Sequence, residues 1–205
     1  MNTVCLITPP SPFLLDERVF MHIGILRVAS SLESKGYKID FLDLSGVDNY
    51  LQVVEDYCKK NKHIKDFGLT ASTPQIPFAV SIAKVIKKNK STSKIILGGP
   101  HVTLMNTASK REVKKGLEKS DRATIDIGNL ASIFDVLVCG DGEYTIFEAL
   151  KIDKGIVDAD DRKSPYFLTN QQFSELPLPA RHLVDVESYK YSIAGKKSTS
   201  LIAQL

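Results

Sequence analysis

The chain lacks several features that mark secreted or membrane proteins. Its three cysteines, Cys5, Cys58 and Cys139, are an odd number at wide spacing, which gives neither a disulfide framework nor a metal-binding knuckle. No apolar run approaches the roughly 20 residues of a membrane span. No basic segment precedes the apolar run near the N-terminus, as a secretory signal requires. We therefore expect no membrane span and a cytoplasmic location, where thiols stay reduced.

A strong charge of either sign is also missing. Lys and Arg number 27 against 24 Asp and Glu, which leaves a net charge of +3. The excess is spread along the chain, so the clustered basic footprint of a nucleic-acid-binding surface is absent and no nucleic-acid partner is expected. Hydrophobic residues make up 43% of the chain, which is typical of a folded globular protein.

The motifs that identify common enzyme classes do not occur. There is no Gly-x-Gly-x-x-Gly after the first predicted strand, no Walker loop and no Gly-x-Ser-x-Gly elbow. Dinucleotide binding, nucleoside-triphosphate binding and serine-hydrolase chemistry therefore lack support. The histidines, at positions 22, 63, 101 and 182, lie far apart in sequence and form no metal-spaced pair. The sequence predicts neither a catalytic set nor a metal site.

What the chain does contain is a regular alternation of strand-like and helical segments over about its first 150 residues. Five β-α units in succession predict an α/β fold of the flavodoxin-like (Rossmann-like) type. The expected sheet is five-stranded and parallel, in the order 2-1-3-4-5, with helices on both faces. The short apolar runs predicted as strands are Val4–Thr8, Lys38–Leu44, Phe67–Ser72, Lys94–Leu97 and Phe134–Cys139.

Two stretches interrupt this alternation. Residues from about 105 to 132 are too long for one crossover helix, and we interpret them as an insertion that carries a solvated, charged helix. Residues 154–205 follow a predicted domain of residues 1–153. Within them, Leu176-Pro177-Leu178-Pro179 predicts an extended C-terminal linker, and Ser198–Leu205 has the pattern of a strand.

Four predicted strand ends carry residues suited to a ligand. In open parallel sheets the ligand binds beyond the carboxyl ends of the strands, where glycine allows close backbone approach and helix N-termini bind phosphates. Turns, helix caps and dipole effects can explain the residues at each strand end separately. Because all four strand ends lie at the same edge of the sheet, together they predict a binding site. For the histidine among them, ligand contact and a structural role both stay open. The candidates are Pro9, Pro10, Ser11, Ser72, Thr73, Pro74, Gly98, Gly99, Pro100, His101, Gly140, Asp141, Gly142 and Glu143.

The order and spacing of these segments resemble the N-terminal cobalamin-binding domain of cobalamin-dependent radical S-adenosylmethionine enzymes. The matching pieces are Leu6-Ile7-Thr8-Pro9-Pro10, Gly24–Leu26 through Gly36–Ile39, Leu42-Asp43-Leu44, Gly68–Pro74, Ile96–Thr103, Gly140–Glu143 and Leu176–Arg181. The resemblance implies a corrin ring on the carboxyl edge of the sheet and a nucleotide tail between the sheet and helices.

The resemblance also implies a role for each group of candidate residues. Ser72, Thr73 and Pro74 would line the slot for the tail, and Gly98 and Gly99 would let it pass close to the backbone. The segment from Gly140 to Glu143 would flank the slot. Pro9, Pro10 and Ser11 would form the face below the ring.

Two family motifs are absent, and each absence changes what the resemblance implies. Cobalamin mutases and methionine synthase place a cobalt-ligating His in Asp-x-His-x-x-Gly, which this chain lacks. Cobalt, if bound here, would therefore lack that ligand. The Cys-x3-Cys-x2-Cys motif, which normally follows a strand resembling Ser198–Leu205, is also missing. The iron–sulfur cluster and S-adenosylmethionine would thus belong to a radical S-adenosylmethionine barrel of the same full-length chain. Residues 154–205 would supply the linker and the first barrel strand.

The leading hypothesis is therefore a corrinoid-binding module of a radical S-adenosylmethionine enzyme, with methyl transfer in the full-length protein and no catalysis by this chain alone. The alternative is a degenerate domain that only packs on the catalytic barrel. It predicts bulky side chains at the carboxyl edge. A flavin or nucleotide module of the flavodoxin type would bind phosphate in the loop after the first strand. In that loop Pro9, Pro10 and Pro12 remove three backbone N–H donors, which argues against phosphate binding there.

Overall fold

The βα alternation of the sequence produces a doubly wound parallel sheet. The computed structural model describes residues 2–116 and 121–202. The sheet strands are β1 (Thr3–Thr8), β2 (Lys38–Asp43), β3 (Asp66–Thr70), β4 (Lys94–Gly98), β5 (Val136–Cys139) and β6 (Gly155–Asp158). They lie in the order β2-β1-β3-β4-β5-β6, with every neighbouring pair parallel. The predicted flavodoxin-like architecture is confirmed.

The predicted count of five sheet strands is wrong by one. Strand β6 pairs with β5 from Val136↔Gly155 to Cys139↔Asp158 and forms an edge of the sheet. It lies at the start of residues 154–205, for which the sequence predicts a linker. A segment of four residues is too short to show a strand periodicity, and a strand at an edge needs less apolar sequence than a central one.

The helices cover both faces of the sheet. Side chains of consecutive strand residues point to opposite faces, so Cys5 and Ile7 join one core while Val4 and Leu6 join the other. The first core includes buried residues of α2, α3, α4 and α5, and the second includes those of α1 and α6. The helix bounds are α1 Ile23–Ser34, α2 Tyr50–Lys60, α3 Ile76–Asn89, α4 Pro100–Lys114, α5 Arg122–Ile133, α6 Gly142–Lys151 and α7 Asn170–Glu175.

The predicted insertion contains the last ten residues of α4 and all of α5 except its final residue, Ile133. The charged stretch from Lys110 to Lys115 forms the largely exposed end of α4, whereas α5 buries Ala123, Ile127 and Leu130. The Glu112 side chain accepts hydrogen bonds from the backbone N–H groups of Ala123 and Thr124, at 3.0 and 2.8 Å. This carboxylate therefore satisfies free amides of the first turn of α5 and ties α4 to α5.

The segment that follows β6 packs back against the sheet domain. The N–H of Ala180 donates to the carbonyl of Leu26 at 3.0 Å, and Phe173 of α7 is buried. Two short antiparallel strands follow, β7 (Ser192–Ile193) and β8 (Lys196–Lys197). In the predicted strand Ser198–Leu205, residues 198–202 adopt no strand, and residues 203–205 lie outside the described residues.

No helix in the described part of the chain combines the length and the hydropathy needed to cross a membrane.

Candidate functional site

A cavity of about 230 Å³ lies at the carboxyl edge of the sheet, between its α1/α6 face and those two helices. Its floor is formed by side chains and glycines of the central strands, and its walls come from α1, α6 and the segment after β6. The strand order reverses at β1 and β3, where a doubly wound sheet opens a crevice for ligands. The lining residues are Leu6, Gly24, Ile25, Arg27, Val28, Gly68, Leu69, Thr70, Ile96, Gly98, Gly99, Pro100, Val138, Gly140, Asp141, Gly142, Glu143, Ile146, Phe173 and Ile202.

Two strand glycines keep the floor of this cavity low. A Cβ atom at Gly68 would lie 2.8 Å from Leu6 Cδ2, so a side chain at this position would displace its neighbour. A Cβ at Gly98 would meet Val138 only at ordinary contact distances of 3.6 and 3.7 Å. Glycine inside a strand typically marks the close approach of another group. Both positions therefore leave room for a ligand to rest on the sheet.

Glycine is obligatory where the chain leaves two of the strands. Gly99 has φ +101°, and a Cβ there would lie 2.7 Å from the Ala71 nitrogen. Gly140 has φ +80°, and its Cβ would lie 2.7 Å from the backbone of Ala159 and Asp160. Both dihedrals fall in the region that only glycine adopts readily. These turns start α4 and α6 directly at the rim of the cavity.

The first turn of α6 brings acidic groups to the cavity wall. Gly142 sits so close to α1 that a Cβ would lie 2.7 Å from Val28 Cγ2. Burial raises the pKa of Asp141, and the neighbouring carboxylate of Asp160 adds to the rise, against the opposing effect of Arg27. Burial also raises the pKa of Glu143. An acidic group at a helix N-terminus is favoured by the helix dipole, which offsets part of this cost.

Arg27 and Glu143 form a buried ion pair in the same wall. Arg27 Nε donates to Glu143 Oε1 at 2.8 Å, and their side chains are only 7% and 8% exposed. The guanidinium also lies over the Phe173 ring, 3.9 Å from its centroid. A charged pair at the edge of an otherwise largely apolar cavity is the polar element expected of a small-molecule site.

The loop after β1 is held at the same edge but outside the cavity. Pro9, Pro10 and Ser11 are buried, and Gln75 Nε2 donates to the Pro9 carbonyl at 3.0 Å and to Ser11 Oγ at 2.8 Å. The Gln75 Oε1 atom accepts from both the N–H and the hydroxyl of Ser72. One buried glutamine therefore fixes the β1 loop against the turn that follows β3.

His101 has structural partners on both ring nitrogens. Its Nδ1 lies 3.0 Å from Thr73 Oγ1, and its Nε2 lies 2.8 Å from Asp126 Oδ2. The ring is buried and joins the β3 turn, where Thr73 and Pro74 are exposed, to helix α5. Of the two roles left open for His101, these contacts support the structural one.

The structure divides the sequence-predicted site residues into two groups. The first lines the cavity and comprises Gly98, Gly99, Pro100, Gly140, Asp141, Gly142 and Glu143. The second lies at the carboxyl edge without lining it and comprises Pro9, Pro10, Ser11, Ser72, Thr73, Pro74 and His101.

Sequence reasoning missed Gly68, Arg27 and Phe173. An isolated glycine inside a strand was a readable signal for Gly68, and a charged residue on the apolar stripe of α1 was one for Arg27. Phe173 had no signal, because its place depends on how the segment after β6 folds back.

Among the described residues, no group of three or more His, Cys, Asp and Glu side chains is arranged to hold a metal ion. The cysteines at positions 5, 58 and 139 are buried and free. Burial raises the pKa of each thiol, to about 12 for Cys139. These thiols are therefore protonated at neutral pH and are poor nucleophiles and metal ligands.

Comparison with known proteins finds one family model that matches part of the chain and a solved structure of similar fold. The family model described as "B12 binding domain" matches residues 18–116, from the loop after β1 to just beyond α4. Among solved structures, the chain is similar to TsrM from Kitasatospora setae, a radical S-adenosylmethionine methyltransferase determined with tryptophan substrate and a SAM analogue. The TM-score is 0.52 at 15% identity, over 75% of this chain and 26% of that one. The likeness shows a shared fold, and this chain spans about a quarter of that protein's length. No curated protein matches the sequence.

Proposed function

From the premise that the chain carries a B12 binding domain, we propose that it binds a corrinoid cofactor. The corrin ring lies on the carboxyl edge of the sheet, and the nucleotide tail enters the cavity between the sheet and helices α1 and α6. A bound corrinoid supplies methyl-group chemistry, while the protein binds and orients it. The chain's own task is therefore recognition and positioning.

The observation that carries this proposal is the position and shape of the cavity. It opens at the sheet edge where β1 and β3 end, and glycines at positions 68 and 98 lower its floor. Its walls are mostly apolar, which suits a flat heterocyclic base. A volume of about 230 Å³ is too small for the macrocycle, so the ring has to lie outside, above the strand ends. The residues present thus fit a ligand with a wide head and a narrow tail.

The rim residues have separate roles in this arrangement. Gly99 and Gly140 turn the backbone away from the mouth of the cavity, which leaves their strand ends open to the tail. The loop of Pro9, Pro10 and Ser11, fixed by Gln75, forms a rigid surface below the ring. The sequence has no Asp-x-His-x-x-Gly motif, so a bound cobalt would receive no histidine from such a motif. Ser72, Thr73 and Pro74 do not line the cavity, so Ser72 and Thr73 are proposed as contacts for the ring and not, as the resemblance implies, for the tail.

We further propose that the domain works with a radical S-adenosylmethionine barrel and that the corrinoid carries a methyl group between substrates. Support comes from the fold shared with a radical S-adenosylmethionine methyltransferase of which this chain spans 26%. The iron–sulfur cluster and S-adenosylmethionine belong to that barrel, because Cys5, Cys58 and Cys139 are too widely spaced for the cluster motif.

The alternative of a degenerate packing domain predicts bulky side chains at the carboxyl edge. The described residues place glycines and a cavity there instead. This favours the binding function.

The test is a visible-absorbance titration of the purified chain with hydroxocobalamin and methylcobalamin, followed by gel filtration. We expect corrin absorbance to co-elute at about one per chain, with a base-off spectrum because the base leaves cobalt for the cavity. The loss of all colour from the protein peak at ligand concentrations far above micromolar would refute corrinoid binding by this chain.

A further inference from the structure

The buried ion pair of Arg27 and Glu143 forms fewer hydrogen bonds within the protein than its donors and acceptors allow. A guanidinium carries five N–H donors and a carboxylate accepts about four hydrogen bonds. Arg27 donates one, from Nε to Glu143 Oε1. Its Nη groups donate to no acceptor among the described residues, and apart from Arg27 the Glu143 carboxylate accepts a hydrogen bond from its own backbone N–H. Donors and acceptor capacity are therefore left over.

This unused capacity borders the cavity. Both residues line it, and each is only 6% exposed, so the contact of their side chains with bulk water is limited. Stacking of the guanidinium on Phe173, 3.9 Å from the ring centroid, limits how far the Arg27 side chain can turn away. Buried pairs of this kind often stabilise a fold no better than apolar side chains of similar volume do. Linking α1 to α6 would therefore not by itself require charged side chains at positions 27 and 143.

We propose that Arg27 and Glu143 recognise the base of the corrinoid's nucleotide tail and favour a purine that carries an amino group beside a ring nitrogen. The inference rests on the corrinoid binding proposed above and names the ligand chemistry of the same cavity. An Arg27 Nη group donates to the ring nitrogen, and the Glu143 carboxylate accepts from the amino group. Arginine and carboxylate side chains read nucleobase edges through the same donor and acceptor pairs.

Benzimidazole tails fulfil only half of this pattern. A dimethylbenzimidazole that has left cobalt offers one ring-nitrogen acceptor and no amino donor, so the carboxylate stays unpaired. Hydrogen bonds to charged groups are stronger than neutral ones, and an unmatched buried polar group opposes binding. The chain should therefore bind an adenine-tailed corrinoid roughly 10- to 100-fold more tightly than cobalamin.

The experiment measures the Kd of the wild-type chain for three corrinoids by absorbance titration: adenine-tailed cobamide, cobalamin, and cobinamide, which has no tail. The key variant is the double substitution Arg27→Met with Glu143→Met, which removes both charges together and avoids leaving one of them buried alone. Lys87→Met is the matched control, because it removes a different ion pair, with Asp135 at 2.7 Å, near the opposite ends of the strands.

We expect the wild type and Lys87→Met to prefer the adenine tail by the stated factor. In the double variant that preference should fall to about one, while cobalamin still binds more tightly than cobinamide. Equal affinity of the wild type for the two tailed corrinoids, or an unchanged preference in the double variant, would overturn the role of the pair and leave corrinoid binding intact. Failure of the wild type to bind any of the three would instead overturn the proposed function, and this inference with it.

Discussion

The most informative single substitution is Gly98→Leu, because it should raise stability and abolish binding together. A Cβ at Gly98 meets Val138 only at 3.6 and 3.7 Å, which is ordinary contact, and the φ of Gly98 is not in the left-handed region. The first carbon therefore needs no rearrangement. The remaining atoms of leucine have to extend into the cavity of about 230 Å³ that this glycine lines.

The size of both effects follows from this placement. Burying a leucine side chain stabilises by about 1.5–3 kcal/mol, and replacing a strand glycine adds about 0.5–1 kcal/mol. Partial filling and imperfect rotamers reduce this sum, so we expect a gain of about 1–2 kcal/mol in the free energy of unfolding. Corrinoid affinity should fall at least about 100-fold, or some 2.7 kcal/mol, because the tail and the side chain compete for the same space.

The assay pairs guanidinium chloride unfolding, followed by circular dichroism, with cobalamin titration of the same preparation. Gly128→Leu is the matched control, since Gly128 is an exposed glycine in α5 whose added Cβ would meet nothing within 4 Å. It should leave affinity unchanged. Wild-type affinity in Gly98→Leu would show that the tail does not use this cavity. A loss of stability above about 2 kcal/mol would show that the space assigned to the ligand is not there.

Three further predictions concern the fold around the cavity. Arg27→Met leaves Glu143 buried without its cation, so the free energy of unfolding should fall by about 3–5 kcal/mol at pH 8. The carboxyl's pKa, already raised by burial, rises further, and the folded state then binds its proton more tightly than the unfolded state does. Stability should therefore recover as the pH falls from about 8 to 5 in denaturation series, and a pH-independent loss would contradict this. Gly140 has φ +80°, and an added Cβ would lie 2.7 Å from the backbone after β6. Gly140→Ala should therefore lower the thermal midpoint by several degrees in calorimetry, whereas an unchanged midpoint would show that the substitution introduces no backbone strain. Cys5 and Cys139, whose thiol pKa values are raised by burial, should react with a disulfide reagent at pH 8 only as fast as the protein unfolds. Rapid labelling of the native chain would disprove their burial.

The sheet was largely predictable because its central strands are short apolar runs between clear turn residues. These runs located β1 to β5, and the doubly wound order follows from βα alternation and right-handed crossovers. Strand β6 was not predicted, because an edge strand of four residues shows almost no hydrophobic pattern in the sequence. Helix α5 was recognised only as part of an insertion, since its buried residues Ala123, Ile127 and Leu130 follow a charged stretch that dominates the local composition.

The candidate site was predictable at the strand ends and not in the walls. Gly98, Gly99 and the segment from Gly140 to Glu143 line the cavity because parallel strands bring their carboxyl ends to one edge. The pairing of Arg27 with Glu143 joins residues 116 positions apart, and no local sequence pattern predicts such a contact. His101 shows the opposite case, because its place at the edge suggested a ligand contact while Thr73 and Asp126 already engage both ring nitrogens.

The central claim is that a corrinoid tail occupies the cavity between the sheet and helices α1 and α6. A crystal structure of the chain with bound hydroxocobalamin tests this most directly. We predict the tail's base against Gly68 and Gly98, beside the Arg27–Glu143 pair, with the corrin ring above the strand ends. A structure with the base still on cobalt and the cavity empty, or with the ring on another face of the molecule, would contradict the account.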